Sequence, residues 1–418
     1  MKKTSRLNPG RVAAARVLMA TLEGLHADSE LERQGSLSPV DRGLAWHLIQ
    51  GVLRHRGELD EALNRVSNRP VNELDPPVHV ALWVGAFELR HSRTPPHAAV
   101  DQGVRLAIAL KAGRAKGLVN ALLRRVGQVD LPDRASRNHP EWLVKRWIDR
   151  YGQEPTDAWC ERNDSQAPLA IACHSQTDSL KDRLSDHASA VEAVSFQERP
   201  LAQALLLHGL KGPVSSLPGF KEGEWWVMDP AAIATADLLG VQEGERVLDA
   251  CAAPGGKSFR LVSQGGHVTA TDRSRNRLKR LKENAGRIGL SVTPLEIDWE
   301  QGDFGKMEPF DAVLVDAPCT GLGTLRRHPE IRWRSLPSDP LAMSLTQKTI
   351  LRSASTLLKP GGRLVYAVCS PEPEEGRLVV EDFLKRNTAF ELTEVIDSAP
   401  PQGFEDAFYA AKMVRVGS

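Results

Sequence analysis

The stretch that decides the fold is VLDACAAPGGKSFRLV, residues 247–262, in which an apolar run, a turn of small residues and a helix-like segment follow one another. Small residues in such a turn let the backbone approach a ligand closely. A dinucleotide-binding turn would read GxGxxG, with the start of the helix facing a pyrophosphate. This turn reads AAPGGK instead, so it predicts a ligand site without identifying the ligand.

From about residue 231 onward, short runs rich in valine and leucine alternate with segments of helical spacing. The predicted strands lie in RVLDAC, HVTATD, VTPLEID, FDAVLVDAP and RLVYAVCS, and the helices between them include SRNRLKRLKENAGRIG and TQKTILRSASTLLK. Strands that alternate with helices indicate a parallel, doubly wound α/β sheet. Ligands of such sheets bind at the carboxyl ends of the strands.

Acidic residues occupy these predicted strand ends. Asp272 closes the second strand, 23 residues after Asp249 closes the first, and Asp298 closes the third. Asp272 is placed to accept hydrogen bonds from ribose hydroxyls, and Asp298 could reach an adenine amino group. The alternative is that these acids cap the following helices, where aspartate is common. Three acids at three successive strand ends favour an adenosine-containing cofactor.

Two of the five cysteines follow apolar runs directly, Cys319 in VLVDAPCTG and Cys369 in LVYAVCSPE. The number of cysteines is odd, their spacing is wide and no CxxC pair occurs, so neither a zinc site nor a disulfide framework is expected. A lone cysteine is by default a buried packing residue. We interpret Cys160 and Cys173 in that way, and packing or chemistry stays open for Cys319 and Cys369.

The first third of the chain differs in charge and in periodicity. Residues 1–150 carry 24 lysines and arginines against 16 acids, although the whole chain has a net charge of only +1. Segments such as SLSPVDRGLAWHLIQGVLRH, with Ser38 as N-cap and Pro39 at the first helical position, predict a helical bundle. The basic excess is typical of a nucleic-acid partner, or equally of a solvated helical surface.

The chain between about residues 131 and 225 is mixed. HPEWLVKRWIDRYG predicts a further helix, and PLAIACHS and GPVSSLPGF predict short strands of a small subdomain. We therefore predict three domains, 1–135, 136–225 and 226–418.

Apolar runs are shorter than the roughly 20 residues that span a membrane. The basic N-terminus lacks the apolar region of a signal peptide, because Arg11 and Arg16 interrupt it. We expect a cytoplasmic protein with no membrane partner, no metal and a monomeric state.

Four motifs, DACAAPGGK, DAPCTG, RRHPEIRW and YAVCS, together resemble the Sun (Fmu) family of S-adenosylmethionine-dependent RNA cytosine-C5 methyltransferases. The helical first part, with TPPHAAV and AKGLVNALLRRV, resembles a NusB-like RNA-binding domain. This fusion points to the bacterial members that modify 16S rRNA. The resemblance implies a multi-domain protein: an all-α NusB-like bundle, a small α+β subdomain and an α/β Rossmann-like class I methyltransferase domain.

The resemblance also implies a chemistry for the two cysteines. Carbon 5 of cytosine is a poor nucleophile, and a thiolate that adds to carbon 6 activates it, which is covalent catalysis. In this RNA family the cysteine at the position of Cys369 attacks carbon 6, and the cysteine at the position of Cys319 assists product release. DNA cytosine methyltransferases instead use a Pro-Cys pair, which Pro318 and Cys319 resemble. Asp316 is the natural group to support ring nitrogen N3 during addition.

Further residues have candidate roles. Lys257 follows the glycine pair and could reach the target base or lower the pKa of a thiol, or it is a solvated lysine at the start of a helix. Arg277 resembles a family position near the cofactor ribose, with a solvated side chain as the alternative, and the basic loop Arg326, Arg327 and His328 is expected to contact RNA phosphates. The predicted S-adenosylmethionine site comprises Cys251, Ala252, Ala253, Pro254, Gly255, Gly256, Lys257, Asp272, Arg277, Asp298 and Asp316.

Several positions depart from the family pattern. Val368 stands where threonine is common, Thr320 where serine is usual, and Gly376 where asparagine is usual, and strand three ends IDWE rather than GD. Two other functions remain open. A nicotinamide-dependent oxidoreductase is disfavoured because GxGxxG is missing. An RNA-binding assembly or antitermination factor with an inactive α/β domain is disfavoured because Cys369, Cys319 and Asp316 are all present.

Overall fold

A computed structural model describes residues 7–174, 177–302, 304 and 307–417. The chain forms two units. The first comprises the described residues up to Gln166 together with Leu325–Ser335, and the second comprises Ala167–Thr324 and the described residues from Leu336 onward. Within the described ranges, no helix combines the length and apolar character needed to cross a membrane.

The first unit is helical, as predicted. Its helices before residue 167 are α1 (Pro9–Leu22), α2 (Ala27–Glu32), α3 (Pro39–Val66), α4 (Pro76–His91), α5 (Pro96–Ala109), α6 (Lys116–Val126), α7 (Glu141–Tyr151) and α8 (Gln153–Asp164). The start of α3 confirms the predicted cap, because the Ser38 hydroxyl accepts a hydrogen bond from the Asp41 amide and Pro39 is the first helical residue. Leu48, Ile49 and Val52 of α3 are buried in the core of this unit.

The second unit begins with a small antiparallel sheet of order β2-β3-β1-β4. Its elements are β1 (Leu169–Cys173), α9 (Asp178–Ser185), β2 (Ala190–Phe196), β3 (Arg199–His208) and β4 (Trp225–Val227). The strand predicted in PLAIACHS is therefore confirmed as β1.

The strand predicted in GPVSSLPGF is wrong. Val214–Ser216 form a 3-10 turn, and the prolines on either side of it cannot donate the backbone hydrogen bonds that a strand needs. The β2–β3 hairpin was not predicted, because most of β2 is exposed and lacks a clear apolar alternation. Its turn residues Gln197 and Glu198 both have positive φ, 47° and 66°, although neither is a glycine.

A larger sheet follows, and among the described residues it has seven strands in the order β10-β11-β9-β8-β5-β6-β7. The elements of this part are α10 (Pro230–Leu238), β5 (Arg246–Asp249), α11 (Gly256–Ser263), β6 (His267–Asp272), α12 (Arg275–Ile288), β7 (Thr293–Glu296), β8 (Phe310–Asp316), α14 (Asp339–Ser355), β9 (Leu358–Val368), α15 (Arg377–Arg386), β10 (Phe390–Asp397) and β11 (Tyr409–Arg415). The five strands from β5 to β9 are parallel, and β10 and β11 close the sheet antiparallel. The doubly wound α/β prediction is confirmed.

Parallel pairing brings the carboxyl ends of four central strands to one edge of this sheet. The strands β5, β6, β8 and β9 end at Asp249, Asp272, Asp316 and Val368. Asp298 lies two residues beyond Glu296, the last residue of β7, so it follows that strand rather than closing it.

The segment Leu325–Ser335, which contains α13 (Glu330–Arg334), belongs to the first unit although it lies between β8 and α14 in sequence. Arg332 is fully buried and its guanidinium lies 2.6 Å from the Asp164 carboxylate. The Trp333 indole donates a hydrogen bond of 2.7 Å to the Leu53 carbonyl. The RRHPEIRW motif is thus a packing element of the helical unit.

Candidate active site

The turn after β5 forms a close-fitting backbone cradle. Gly255 has a φ of 115°, and a Cβ atom there would lie 2.4 Å from the ring of Phe259. Only glycine fits this position. Other residues rarely adopt this positive φ, and any side chain would clash with the phenylalanine ring. The helix α11 then begins at Gly256, so its first amide groups face the strand-end edge of the sheet.

Two carboxylates beside this turn have an oxygen without a hydrogen-bond partner among the described residues. Asp249 accepts a hydrogen bond of 2.7 Å from Ser258, but its Oδ1 is buried and unpaired. Burial raises the pKa of Asp249 to about 7. Asp272 Oδ1 accepts a bond from the Ser274 amide, and Arg277 lies 3.1 Å from Oδ2 without hydrogen-bond geometry.

Asp298 is held in a turn, and in the described part of the chain no helix begins between it and β8 for it to cap. Its two oxygens accept hydrogen bonds from the Glu300 amide and from the Gln301 side chain. The adjacent Trp299 donates from its indole to the Ala250 carbonyl at 2.7 Å. This bond fixes the loop after β7 against the turn after β5.

A cavity of about 270 Å³ opens at this edge. Of the predicted site residues, those that line it are Cys251, Ala253, Asp272, Arg277, Asp298, Asp316, Cys319 and Cys369. Sequence reasoning missed Arg273, Ile297, Trp299, Glu300 and Ile350, which also line it. The first four flank Asp272 or Asp298 in sequence and could have been found from that position, whereas Ile350 of α14 carries no such signal.

The two cysteines meet at one end of this cavity, where Cys319 Sγ lies 3.3 Å from Cys369 Sγ. Backbone bonds hold their loops together, because the Ala317 amide donates to the Ala367 carbonyl and the Gly323 amide donates to the Cys369 carbonyl. The hydrogen bond with Cys369 and burial together raise the pKa of the Cys319 thiol well above its usual range. Cys319 is therefore protonated at neutral pH.

Lys257 and Asp316 form an ion pair beside the thiols, with 2.7 Å between Nζ and Oδ2. Burial acts to lower the pKa of Lys257, but Asp316 and then Cys369 attract the ammonium group and the net shift is upward. The ammonium also lies 5.1 Å from the centre of the Phe408 ring. The site therefore holds a permanent cation between the carboxylate of β8 and the sulfur that follows β9.

The other three cysteines are not suited to attack. Burial raises the pKa of Cys160 and of Cys173 to about 12, and it raises the pKa of Cys251 well above its usual value. Of the basic loop predicted to contact RNA, Arg326 donates to the Gln166 carbonyl and His328 lies 3.6 Å from Asp28. These residues are in the first unit, and Arg327 adjoins them there.

One cluster in the first unit has the composition of a metal site. The side chains of His55, Glu58 and His91 bring ligand atoms within 4.8 Å of one another. However, the two imidazole rings are stacked with centroids 4.1 Å apart and an angle of 18°, and Arg90 binds the Glu58 carboxylate. A single ion cannot lie in the planes of two stacked rings, so this arrangement serves ionic packing.

A mostly parallel sheet with a glycine-rich first turn, acids at its strand ends and two thiols beside the resulting cavity defines the class: a Rossmann-like methyltransferase. Residues 236–414 match the family described as 16S rRNA methyltransferase RsmB/F, residues 8–128 match the NusB family, and residues 139–209 match the RsmF/B-like ferredoxin-like domain. The chain belongs to the 16S rRNA methyltransferase RsmB/F family. It is thus an S-adenosylmethionine-dependent rRNA methyltransferase, and the resemblance and the fold class inferred from sequence are confirmed.

A curated relative supports this membership over the full length, and two solved structures share the fold. The "Ribosomal RNA small subunit methyltransferase B" of Pasteurella multocida is 34% identical over 450 residues, covering 100% of this chain and 98% of that protein. The solved structure of PH0851 has a TM-score of 0.77 at 23% identity and covers 98% of this chain and 100% of its own. NSun6 from Pyrococcus horikoshii, solved with SFG, has a TM-score of 0.58 at 19% identity and covers 67% of this chain and 99% of its own.

Proposed function

We propose that this protein transfers a methyl group to carbon 5 of a cytosine in 16S rRNA, with Cys369 as the nucleophile. The observation that carries the proposal is the 3.3 Å approach of two sulfurs at the end of the cofactor cavity, beside the Asp316–Lys257 pair. A thiol that serves only packing needs neither a second thiol at hydrogen-bond distance nor a lysine–aspartate ion pair nearby. Curated relatives that cover 91% to 100% of the chain are named for the small ribosomal subunit RNA.

The residues present fit S-adenosylmethionine. Asp272 lines the cavity, and its Oδ2, which accepts no hydrogen bond within the described residues, is an acceptor for the hydroxyl groups that this cofactor carries. Asp272 would hold the ribose and Asp298 the adenine amino group, with Trp299 and Ile350 as apolar walls. When bound, the cofactor supplies an electrophilic methyl group.

The chain's own residues prepare the cytosine for that group. The Cys369 thiolate adds to carbon 6, which forms the sulfur–carbon bond and places electron density on carbon 5. The Asp316 carboxyl supports ring nitrogen N3 during this addition, and Lys257 orients Asp316 through their 2.7 Å contact. After carbon 5 has gained its methyl group it loses its proton, and the electron pair of that bond expels the thiolate of Cys369.

The RNA-binding surfaces are proposed from charge. The basic residues of α6 and of the turn before it, with the loop Arg326–His328, would contact phosphates, which supply most of the affinity for RNA. The target cytosine must leave its stack to reach the thiol, so an unpaired or flipped base is the proposed substrate. We assign these roles to domains 1–135 and 136–225, and methyl transfer to 226–418.

Bisulfite mapping of 16S rRNA incubated with and without the protein tests the activity. Wild-type protein with S-adenosylmethionine should protect one cytosine from conversion, and Cys369→Ala should abolish that protection. The control is Cys173→Ala, a buried thiol in the small sheet, which should protect the same cytosine as wild type does. Full protection by Cys369→Ala would overturn the mechanism, and RNA binding without protection by wild type would favour an assembly factor.

A second experiment addresses Cys319. The Cys319→Ala variant should methylate its cytosine once and then remain bound to it, because the neighbour of the leaving sulfur is missing. On a denaturing gel this variant should give a band of protein joined to RNA. A gel without such a band would contradict the release role.

A further inference from the structure

A buried carboxylate that the mechanism above does not use connects the two cysteine loops. Glu375, in the loop before α15, is fully buried. Its Oε1 accepts a 2.8 Å hydrogen bond from the Thr320 amide, and its Oε2 accepts a 2.6 Å bond from the Thr320 hydroxyl. Oε2 also accepts a hydrogen bond from the Ser370 hydroxyl. One side chain thus holds the residue that follows Cys319 and the residue that follows Cys369.

A second side chain completes this connection. Gln347 of α14 donates from Nε2 to Glu375 Oε1 at 3.1 Å and to the Pro318 carbonyl at 2.9 Å. The residues on both sides of Cys319 are therefore tied to Glu375, directly or through Gln347. The Tyr366 hydroxyl of β9 donates to the Glu375 carbonyl, which fixes the backbone of Glu375 to the strand that precedes Cys369.

The pattern of donors indicates the ionised form of Glu375. Thr320, Ser370 and Gln347 direct four donors at its two oxygens, and an ionised carboxylate can accept all four bonds. Burial raises the pKa of Glu375, and the bonds from Ser370 and Thr320 oppose that shift. The charge of Glu375 is also one of the causes that raise the pKa of Cys319.

We propose that Glu375 is a positioning residue, which fixes the Cys319 loop against the Cys369 loop and keeps the Cys319 thiol directed at the Cys369 sulfur during product release. This rests on the proposed function, in which Cys369 forms the adduct. In the release step the carbon 5–hydrogen bond breaks and its proton passes to water. The electron pair restores the carbon 5–carbon 6 double bond, and the carbon 6–sulfur bond breaks with its pair remaining on Cys369. A hydrogen bond from the Cys319 thiol stabilises that departing thiolate.

Glu375→Gln tests the charge while keeping the shape, because its amide can still accept from Thr320 and face the two hydroxyls. We expect the covalent RNA band to persist about tenfold longer than in wild type, which corresponds to the loss of a charge-assisted hydrogen-bond network. The rate of the first methyl transfer and the affinity for S-adenosylmethionine should stay within about threefold of wild type. Since the negative charge that raises the pKa of Cys319 is gone, the alkaline limb of the release rate should move to lower pH.

Ser370→Ala is the milder variant should Glu375→Gln fail to fold, because it removes one donor and leaves the carboxylate in place. It should lengthen the lifetime of the band by about threefold. The matched control is Glu245→Gln, which removes a partly buried carboxylate bound to Arg363 in the middle of β9 and should leave band lifetime unchanged.

If Glu375→Gln and Ser370→Ala both fold and the covalent band lasts as long as in wild type, the positioning role is overturned. A parallel fall of methyl transfer, cofactor affinity and melting temperature would also overturn it, because that result means general structural support. The Cys319→Ala protein, which keeps Glu375, separates the two proposals. If it gives no covalent band, the release role of Cys319 within the proposed function fails, whereas a band in Cys319→Ala with unaltered Glu375 variants refutes the role of Glu375 alone.

Discussion

The two sheets of the second unit each place a cysteine at the end of a strand, with opposite results. Cys173 closes β1 of the small sheet and packs among Leu180, Leu205 and Trp225. Cys369 follows β9 of the large sheet and faces a cavity, a second thiol and a lysine–aspartate pair. Cys173 and Cys369 have the same side chain and both come at the end of an apolar run. Residue type and sequence position therefore do not decide whether a thiol reacts.

The direction of the neighbouring strands accounts for the difference. β1 is flanked by antiparallel strands, so Cys173 lies opposite Trp225, the first residue of β4. β9 runs parallel to β8, so the end of β9 lies next to the end of β8 and its Asp316. The parallel strands therefore gather strand-end residues at one edge, whereas the antiparallel neighbour β4 places the buried Trp225 opposite Cys173.

The largest test of this comparison uses the two ends of β8, each of which carries an aspartate–lysine pair. Asp316→Asn at the carboxyl end should lower kcat/KM for methyl transfer on the order of 10³-fold, because support for the base during addition is lost. Asp311→Asn at the amino end breaks the pair with Lys359, 2.6 Å away, and should change kcat/KM less than threefold. Steady-state kinetics measure both values. Similar losses of kcat/KM in the two variants would show that activity does not depend on which end of β8 carries the aspartate.

A smaller effect is expected at the end of β6. Asp272→Asn should weaken S-adenosylmethionine binding by about 10- to 30-fold, because a neutral amide is a poorer acceptor for ribose hydroxyls. The rate at saturating cofactor should fall less than threefold, since Asp272 does not contact the thiols. Isothermal titration and single-turnover rates measure the two quantities, and a variant that binds the cofactor normally would remove Asp272 from the site.

The remaining test concerns the end of β5 and measures stability, with no change in activity expected from it. Burial raises the pKa of Asp249 to about 7, so the folded protein holds that proton at pH values where the unfolded chain has released it. The free energy of unfolding should therefore fall by about 2–4 kcal/mol as pH rises from about 4 to about 7, and then level off. Urea titrations across this range should show a flatter profile for Asp249→Asn, and identical profiles would contradict the assignment.

The sequence predicted the large sheet well because its parallel strands are buried and read as short apolar runs that end in acids or cysteines. It also predicted that Asp272, Asp316, Cys319 and Cys369 would lie together, since parallel strand ends share an edge. The β2–β3 hairpin escaped prediction because most of β2 is exposed and the turn lacks glycine. Glu375 escaped because its role depends on hydrogen bonds to residues 55 and 28 positions away in sequence.

The packing of Leu325–Ser335 into the helical unit has a consequence for dissecting the protein. A fragment that stops at residue 135 or at Gln166 would lose Arg332, the ionic partner of Asp164, and Trp333, which contacts the core of α3. A fragment that starts after Gln166 would carry the same arginine and tryptophan without their partners, which favours aggregation. The helical unit is thus discontinuous in sequence, and a terminal truncation is the wrong way to isolate it. A fusion that joins residues 1–166 to residues 325–335 through a linker would keep Arg332 with Asp164 and Trp333 with Leu53.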